Sequence, residues 1–359
     1  MGDRSSISSP NRFPLAAAQA LVVILAVESA IFIYRDSLMS ALNLIAREKR
    51  DLLVRESSQE EVAVFGDSQA FSISPAVVAK SLGCGIGVTN YAWPYAGWEV
   101  YDLVLDAYLR RRGPPRAILV SFMPIGLALP EEFVRLEGRP EHLPRVFNLL
   151  PGGFLVSRFA VQKRWAGLWD WFTYTVAPPS ARYRGEILSA ARSLKRGDRD
   201  RERLAAERRM LADWRSKGAF ALFDSETAPE TVLEDFEGFV GGLARRPSPP
   251  VHLLEEFLDR ADANGIPVIL LNPPVSERMF ARLSEIGVLT AYDEIIARWR
   301  REHSNLRIVE PLVQVYPNDR FGDVGHLNSR GDAEFQRFYD RALGRLALGL
   351  EREERNSRK

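Results

Sequence analysis

Three residues carry the chemistry this sequence offers. Ser68 stands in VAVFGDSQAFSISP, residues 62–75, where a short apolar run breaks into Gly66-Asp67-Ser68. Asp323 and His326 stand three apart in FGDVGHLNSRG, towards the far end of the chain. A serine hydroxyl becomes a nucleophile when a base takes its proton, and an imidazole base needs an acid to orient it. Ser68, His326 and Asp323 are of the types that fill those three roles. Each also has an ordinary reading: Ser68 as a turn or N-cap serine, and His326 as a turn histidine ahead of the capping residues Asn328 and Ser329. His142, His252 and His303 lack comparable company; His252 and His303 fall in helical runs and read as surface residues.

The elements around these residues decide whether they can meet. Strands are expected near 62–66, 86–91, 117–122, 267–271 and 306–310. Helices are expected at Pro75–Leu82, stopped by Gly83, and at Trp98–Arg111, closed by Gly113-Pro114-Pro115. Others are expected at 251–265, at 276–300 and at Arg330–Leu346. AILVSF, 117–122, is almost wholly apolar, as a strand covered on both faces would be. Alternating strands and helices at this spacing predict a mainly parallel five-stranded sheet in a three-layer α/β/α sandwich. In such sheets ligands bind beyond the carboxyl ends of the strands, where Ser68 falls. The helix after it would aim its N-terminal N–H groups at an anion.

The repeat lapses between Pro130 and Pro250, so the α/β domain, 61–129 and 251–350, is expected to carry a largely helical insertion at 130–250. Connections that long usually serve as lids or partner surfaces. This one holds RWAGLWDWFTY, 164–174, and a charged helical stretch, 186–218. Its aromatics would pack on the core or lie at a membrane interface, in preference to stacking on sugar rings.

At the other end, residues 1–35 read as a tail and membrane anchor. Pro14 to Tyr34 is an apolar stretch whose single charge is Glu28, about the length that crosses a bilayer as a helix. No cleavage site stands out, so an uncleaved signal anchor is expected. A juxtamembrane helix follows within 36–60. The whole chain of 359 residues is 46% apolar and 26% charged, with a net charge of +1. That balance gives no reason to expect nucleic acid as a partner. One cysteine, Cys84, excludes an intrachain disulfide framework, and four scattered histidines give no metal-ligand spacing. No cofactor is expected.

GDSQ at Ser68, with DVGHLNSRG at Asp323 and His326, resembles the first and last blocks of the SGNH (GDSL-type) hydrolase superfamily. The order Ser, Asp, His along the chain is similar to the family's, and the resemblance covers about 62–122 and 251–346. It implies Ser68 as nucleophile and first oxyanion donor, His326 as base, and Asp323 as acid. Gly66 and Asp67 would be structural residues of the turn. Gly97, after Asn90, would be the second oxyanion donor through its N–H. The family's third block supplies an oxyanion asparagine after the third strand; here SFMPIG, 121–126, has none, and Ser121 or a residue of the insertion is an alternative. GIPVILLNPPVS, 265–276, and the N-terminal apolar segment resemble a membrane-anchored subgroup of bacterial envelopes that includes proteins of polysaccharide O-acetylation. That likeness implies an acyl-ester donor, a polysaccharide acceptor, an envelope protein partner, and a single-pass protein whose domain lies outside the cytoplasm, periplasmic or extracellular. Water as acceptor would make an esterase and a sugar hydroxyl an acyltransferase. A second class of reading is a non-catalytic envelope assembly or scaffold protein that retains the fold. Phosphate or nucleotide binding fares worse, since GDSQAFS has neither glycine-rich phosphate motif.

Overall fold

A computed structural model describes residues 12–33, 40–55, 61–83, 85–93, 98–129, 143–184, 187–188, 198–222, 251–323 and 325–357. In chain order, α1 is Arg12–Ile33 and α2 Ala41–Val54. Then come β1 (Glu61–Gly66), α3 (Pro75–Leu82), β2 (Gly87–Asn90), α4 (Trp98–Arg112) and β3 (Ala117–Ser121). The insertion contributes α5 (Leu143–Leu149), α6 (Gly152–Val161), α7 (Trp165–Val176), α8 (Pro179–Arg182) and α9 (Asp198–Lys217). The domain resumes with α10 (His252–Ala263), β4 (Val268–Leu270), β5 (Val275–Ser276), α11 (Glu277–Glu285) and α12 (Val288–Glu302). It closes with β6 (Leu306–Ile308), β7 (Val315–Tyr316) and α13 (Ser329–Ser357).

The five expected strands form one parallel sheet in the order β2-β1-β3-β4-β6. β1 is an interior strand, second in that order, pairing Val64 with Asn90 on one side and Gly66 with Ser121 on the other. Its apolar run is buried throughout, as the absence of a polar alternation in VAVF requires. α13 packs against α3, and α10 against α4, consistent with the expected three-layer arrangement. β5 and β7, a separate two-residue parallel ladder pairing Val275 with Val315, were not expected. The chain turns back on either side of β1, to β2 and to β3, so the end of β1 is the topological switch point where a crevice opens.

The helix expected within 36–60 forms as α2 and packs into the core: it buries Ala41, Ile45, Ala46, Lys49 and Leu53, and is capped by Ser40, whose Oγ accepts from the Asn43 N–H at 3.4 Å. One residue differs from the sequence reading. His303 is buried at the end of α12, not at the surface; its N–H donates to the Trp299 carbonyl at 2.8 Å. The insertion is fastened by ions. Arg158 of α6 meets Asp102 and Asp106 of α4 at 3.2 and 3.4 Å, and Arg260 of α10 meets Asp102 at 2.5 Å. Both aspartates are nearly buried, so they are held by guanidinium groups from two directions.

α1 is apolar and exposed. Leu21, Val22, Val23, Ile24, Leu25 and Val27 are each more than half accessible, so it is not a core helix of the α/β domain. Among the described residues no helix is long and apolar enough to cross a membrane. The described side chains of α1 run from Ala17 to Ile33, about 25 Å of helix against the ~30 Å of a hydrocarbon core. Tyr34 and the side chains of Pro14 to Ala16 lie outside the described residues.

Candidate active site

β1 ends at Gly66 because nothing larger fits. A Cβ there would stand 2.4 Å from Ala70 Cβ and 2.5 Å from the Ser121 carbonyl oxygen. The chain then tightens into a 3-10 turn, Ser68–Ser72, capped by Asp67: its Oδ1 accepts from the Gln69 N–H at 2.9 Å, and its carbonyl accepts from the Ala70 N–H at 3.1 Å. Of the first three amides of the turn, the Ser68 N–H is the one not committed to Asp67. Burial raises the Asp67 carboxyl above its usual range, opposed by the N–H groups of Gln69 and Met123 and by His326.

His326 comes to Ser68 from the opposite end of the chain. Asn328 positions its loop ahead of α13. The Asn328 Oδ1 accepts from the N–H groups of Arg330 and Gly331, and its Nδ2 donates to the Asp319 carbonyl. Gly331 packs so closely that a Cβ would lie 2.2 Å from the Arg320 carbonyl oxygen. A bridge between Phe321 and Leu327 closes the loop, and the Gly322 N–H donates to the His326 carbonyl at 2.9 Å. Gln69 ties the Ser68 turn to this loop by donating to the Gly325 carbonyl at 2.6 Å.

The three residues form a continuous chain of contacts. Ser68 Oγ lies 2.7 Å from His326 Nε2, and His326 Nδ1 lies 2.8 Å from Asp323 Oδ2. Asp323 Oδ1 also accepts from the N–H groups of Gly325 and His326, at 2.8 and 2.7 Å. Burial pushes the Asp323 carboxyl up, but these hydrogen bonds and the His326 charge outweigh it and hold the group below the usual carboxylate range. An ionised Asp323 keeps the proton on Nδ1 and the lone pair of Nε2 facing Ser68.

The cavity beside Ser68 has a free volume of about 20 Å³, room for roughly one water. Its lining includes Ser68, Gln69, His326, Pro273 and, from the segment just after α9, Phe220 and Leu222. The Phe220 N–H donates to the Phe71 carbonyl at 3.0 Å, which brings the insertion to the site. Gly97 lies outside the described residues. Ser121 is fully buried and does not line this cavity. Where an oxyanion asparagine would follow β3, Met123 is buried with its sulfur against the Gln69 side chain. Among the described residues no three His, Cys, Asp or Glu side chains gather as a metal site.

Two supporting residues escaped the sequence reading. Asn90, fully buried at the end of β2, donates to the carbonyls of Ala70 and Ile73 at 2.8 and 3.0 Å and accepts from the Ala92 N–H at 2.9 Å. Lys49 of α2 is fully buried and donates to the Ala92 carbonyl, ringed by Phe71, Trp93 and Trp214. Burial drives the Lys49 amine well below its ordinary value; the three ring faces act the other way. Asn90 followed a β-branched strand, a visible signal. Lys49 sits in a charge-rich helix, AREKRDLLV, and carried none. Compared with protein-family models and with curated proteins, the chain matches none.

Proposed function

We propose that this protein is an SGNH-like serine enzyme that transfers an acyl group from an ester through a covalent intermediate. The observation that carries the reading is the unbroken Ser68–His326–Asp323 chain of contacts at the end of β1. In this mechanism His326 takes the Ser68 proton as Oγ attacks the ester carbonyl, forming the C–O bond. The tetrahedral oxyanion is met by the Ser68 N–H and, in our reading, by that of Gly97. Collapse expels the alkoxide, which takes the proton from His326. A second acceptor, deprotonated by His326, then releases the acyl group: water in an esterase, a sugar hydroxyl in an O-acyltransferase. The exposed apolar α1 supports a membrane anchor over residues 14–34; the resemblance to the envelope subgroup supports a domain outside the cytoplasm and a cell-envelope polysaccharide as acceptor. A second reading, an envelope scaffold that keeps the fold without turnover, draws on Met123 standing where an oxyanion asparagine would be.

The test is to incubate the full-length protein with an activated acetyl ester and to weigh the peptide that contains Ser68. Acetyl on that peptide in the wild type, absent in Ser68→Ala, supports the enzyme, and adding a polysaccharide separates transferase from hydrolase by where the label ends. A folded wild type that neither acquires label nor turns over a panel of acyl donors favours the scaffold. Turnover that survives Ser68→Ala places the chemistry elsewhere.

A further inference from the structure

α7 divides its aromatic residues between two faces. Trp171 lies over Gly152, where an added Cβ would stand 3.1 Å from its ring, and Tyr174 packs on Phe147 with ring centroids 5.6 Å apart. Trp165, Trp169, Phe172 and Val176 follow the spacing i, i+4, i+7, i+11, which gathers them in an arc of about 60°. They are 64, 64, 47 and 60% exposed. Contiguous apolar strips of this kind mark interaction surfaces.

What lies beside the strip indicates what it meets. Two residues beyond α7 begins α8, and its Ser180 holds Glu28, the one charge of the apolar stretch 14–34: the Ser180 N–H donates to Glu28 Oε2 at 2.9 Å and its hydroxyl to Oε1. α1 and α8 are in contact along this turn. The exposed apolar surface of α1 and the end of α7 next to α8 are therefore brought together at Glu28. Glu28 lies about 8 Å along the helix from Ile33. If α1 enters a bilayer, Ser180 must follow Glu28 to that depth, with α8 and the adjoining end of α7. In-plane helices bury their apolar faces about 5–10 Å into the headgroup boundary, and tryptophan favours that level. Exposed Lys163 and Arg184 flank the strip at its two ends, suited to lipid phosphates.

We propose that α7 and α8 form a second, in-plane membrane contact, in which Trp165, Trp169, Phe172 and Val176 enter the lipid interface of a phospholipid bilayer beside α1. The inference rests on reading α1 as the anchor. Its consequence is that the insertion, which reaches the Ser68 cavity through Phe220, is held at the membrane surface at its other end.

The experiment uses the full-length chain with Cys84→Ser and one environment-sensitive fluorophore attached through Ile24→Cys, Trp169→Cys or Asp170→Cys. These three sites are exposed, so no core contact is lost. Each protein is reconstituted in vesicles of phosphatidylcholine and phosphatidylglycerol, and quenching by acyl-brominated lipid is compared with quenching by aqueous iodide. The expected result is lipid quenching at positions 24 and 169, and iodide quenching at 170. Lipid quenching at 24 with iodide quenching at 169 overturns the proposal and leaves the anchor standing. Shielding of 169 from both quenchers also overturns it, because protein then covers the strip, whether another segment or a second copy. Iodide quenching at both 24 and 169 defeats the anchor and the proposal together. Lipid quenching at 169 without 24 sustains the surface contact and refutes the anchor.

Discussion

Asp332→Asn should make this protein more stable at neutral pH. Asp332 lies in the first turn of α13, behind the 3-10 turn that carries Ser68. Gln336 donates to its Oδ2 at 3.1 Å, while its Oδ1 is buried with no hydrogen-bond partner. Burial raises its carboxyl to about 6 from 3.8, against the hydrogen bonds of Ser72 and Gln336 and the charge of Lys217. Between those two values the native state holds a proton that the unfolded chain has released. Stability therefore falls as pH rises through that window and levels off above it. Carried to pH 7, the burden is about 3 kcal/mol. Asparagine keeps an oxygen for Gln336 and has no charge to bury. Thermal unfolding of both proteins from about pH 4 to pH 8 should show the wild-type decline vanish in the variant. The variant's Tm near neutrality should be higher by about 4 °C. An equal pH slope in the two proteins, or a less stable variant at neutral pH, would refute the reasoning and show the carboxylate to be well partnered.

Asp323→Asn should leave the fold intact and reduce turnover by about 10⁴-fold, because the amide no longer fixes the imidazole tautomer; steady-state kinetics check it. The same variant should lose some acid sensitivity. The depressed Asp323 carboxyl contributes stability that is present above the unfolded value and is lost as pH falls through the folded one; acid titration of both proteins checks this. Gly66→Ala should cost about 1–3 kcal/mol by overpacking and displace Ser68, read as a lower urea midpoint together with lost labelling of Ser68; wild-type behaviour in both would contradict the close approach. Lys49→Met should be as stable as wild type or more so at neutral pH, since Met keeps the ring contacts without a buried charge. It should also lose the rise in stability towards alkaline pH that a depressed lysine imposes. Denaturation at two pH values decides it, and a loss above about 2 kcal/mol would show that the ring faces hold a needed cation.

Local patterns made the sheet legible. The runs at 62–66, 117–122 and 267–271 are short and apolar, bounded by glycine, proline or a polar break, and each becomes a strand of one parallel sheet. The Ser68–His326–Asp323 trio was legible for a different reason. Ser68 and His326 are 258 residues apart, but each lies where the strand order and a capped loop direct it to the same end of the sheet. What escaped depends on tertiary packing. Lys49 has no sequence feature separating it from Arg47 or Arg50, and its burial is decided by Phe71, Trp93 and Trp214 closing around it. His303 likewise looks like a surface residue at a helix end until α10 brings Asp259 to 4.0 Å. The two-residue pairing of β5 with β7 is too short for any periodicity to announce.

The supports of the site converge on main chain. The Trp93 N–H donates to the Gly66 carbonyl at 2.9 Å, and the Tyr91 N–H to that of Val64 at 2.7 Å, so the segment after β2 is stitched to the end of β1. Asn90 holds the Ser68 turn from one side of that segment, and Lys49 holds the Ala92 carbonyl from the other. In the proposed mechanism a turn fixed at this many points presents the Ser68 N–H without reorganisation, which is what makes a backbone donor effective towards an oxyanion. One of those supports belongs to α2, the helix that follows α1. α2 is thus a wall of the site, and the position of the Ser68 turn relative to α2 is set by the same packing that buries Lys49.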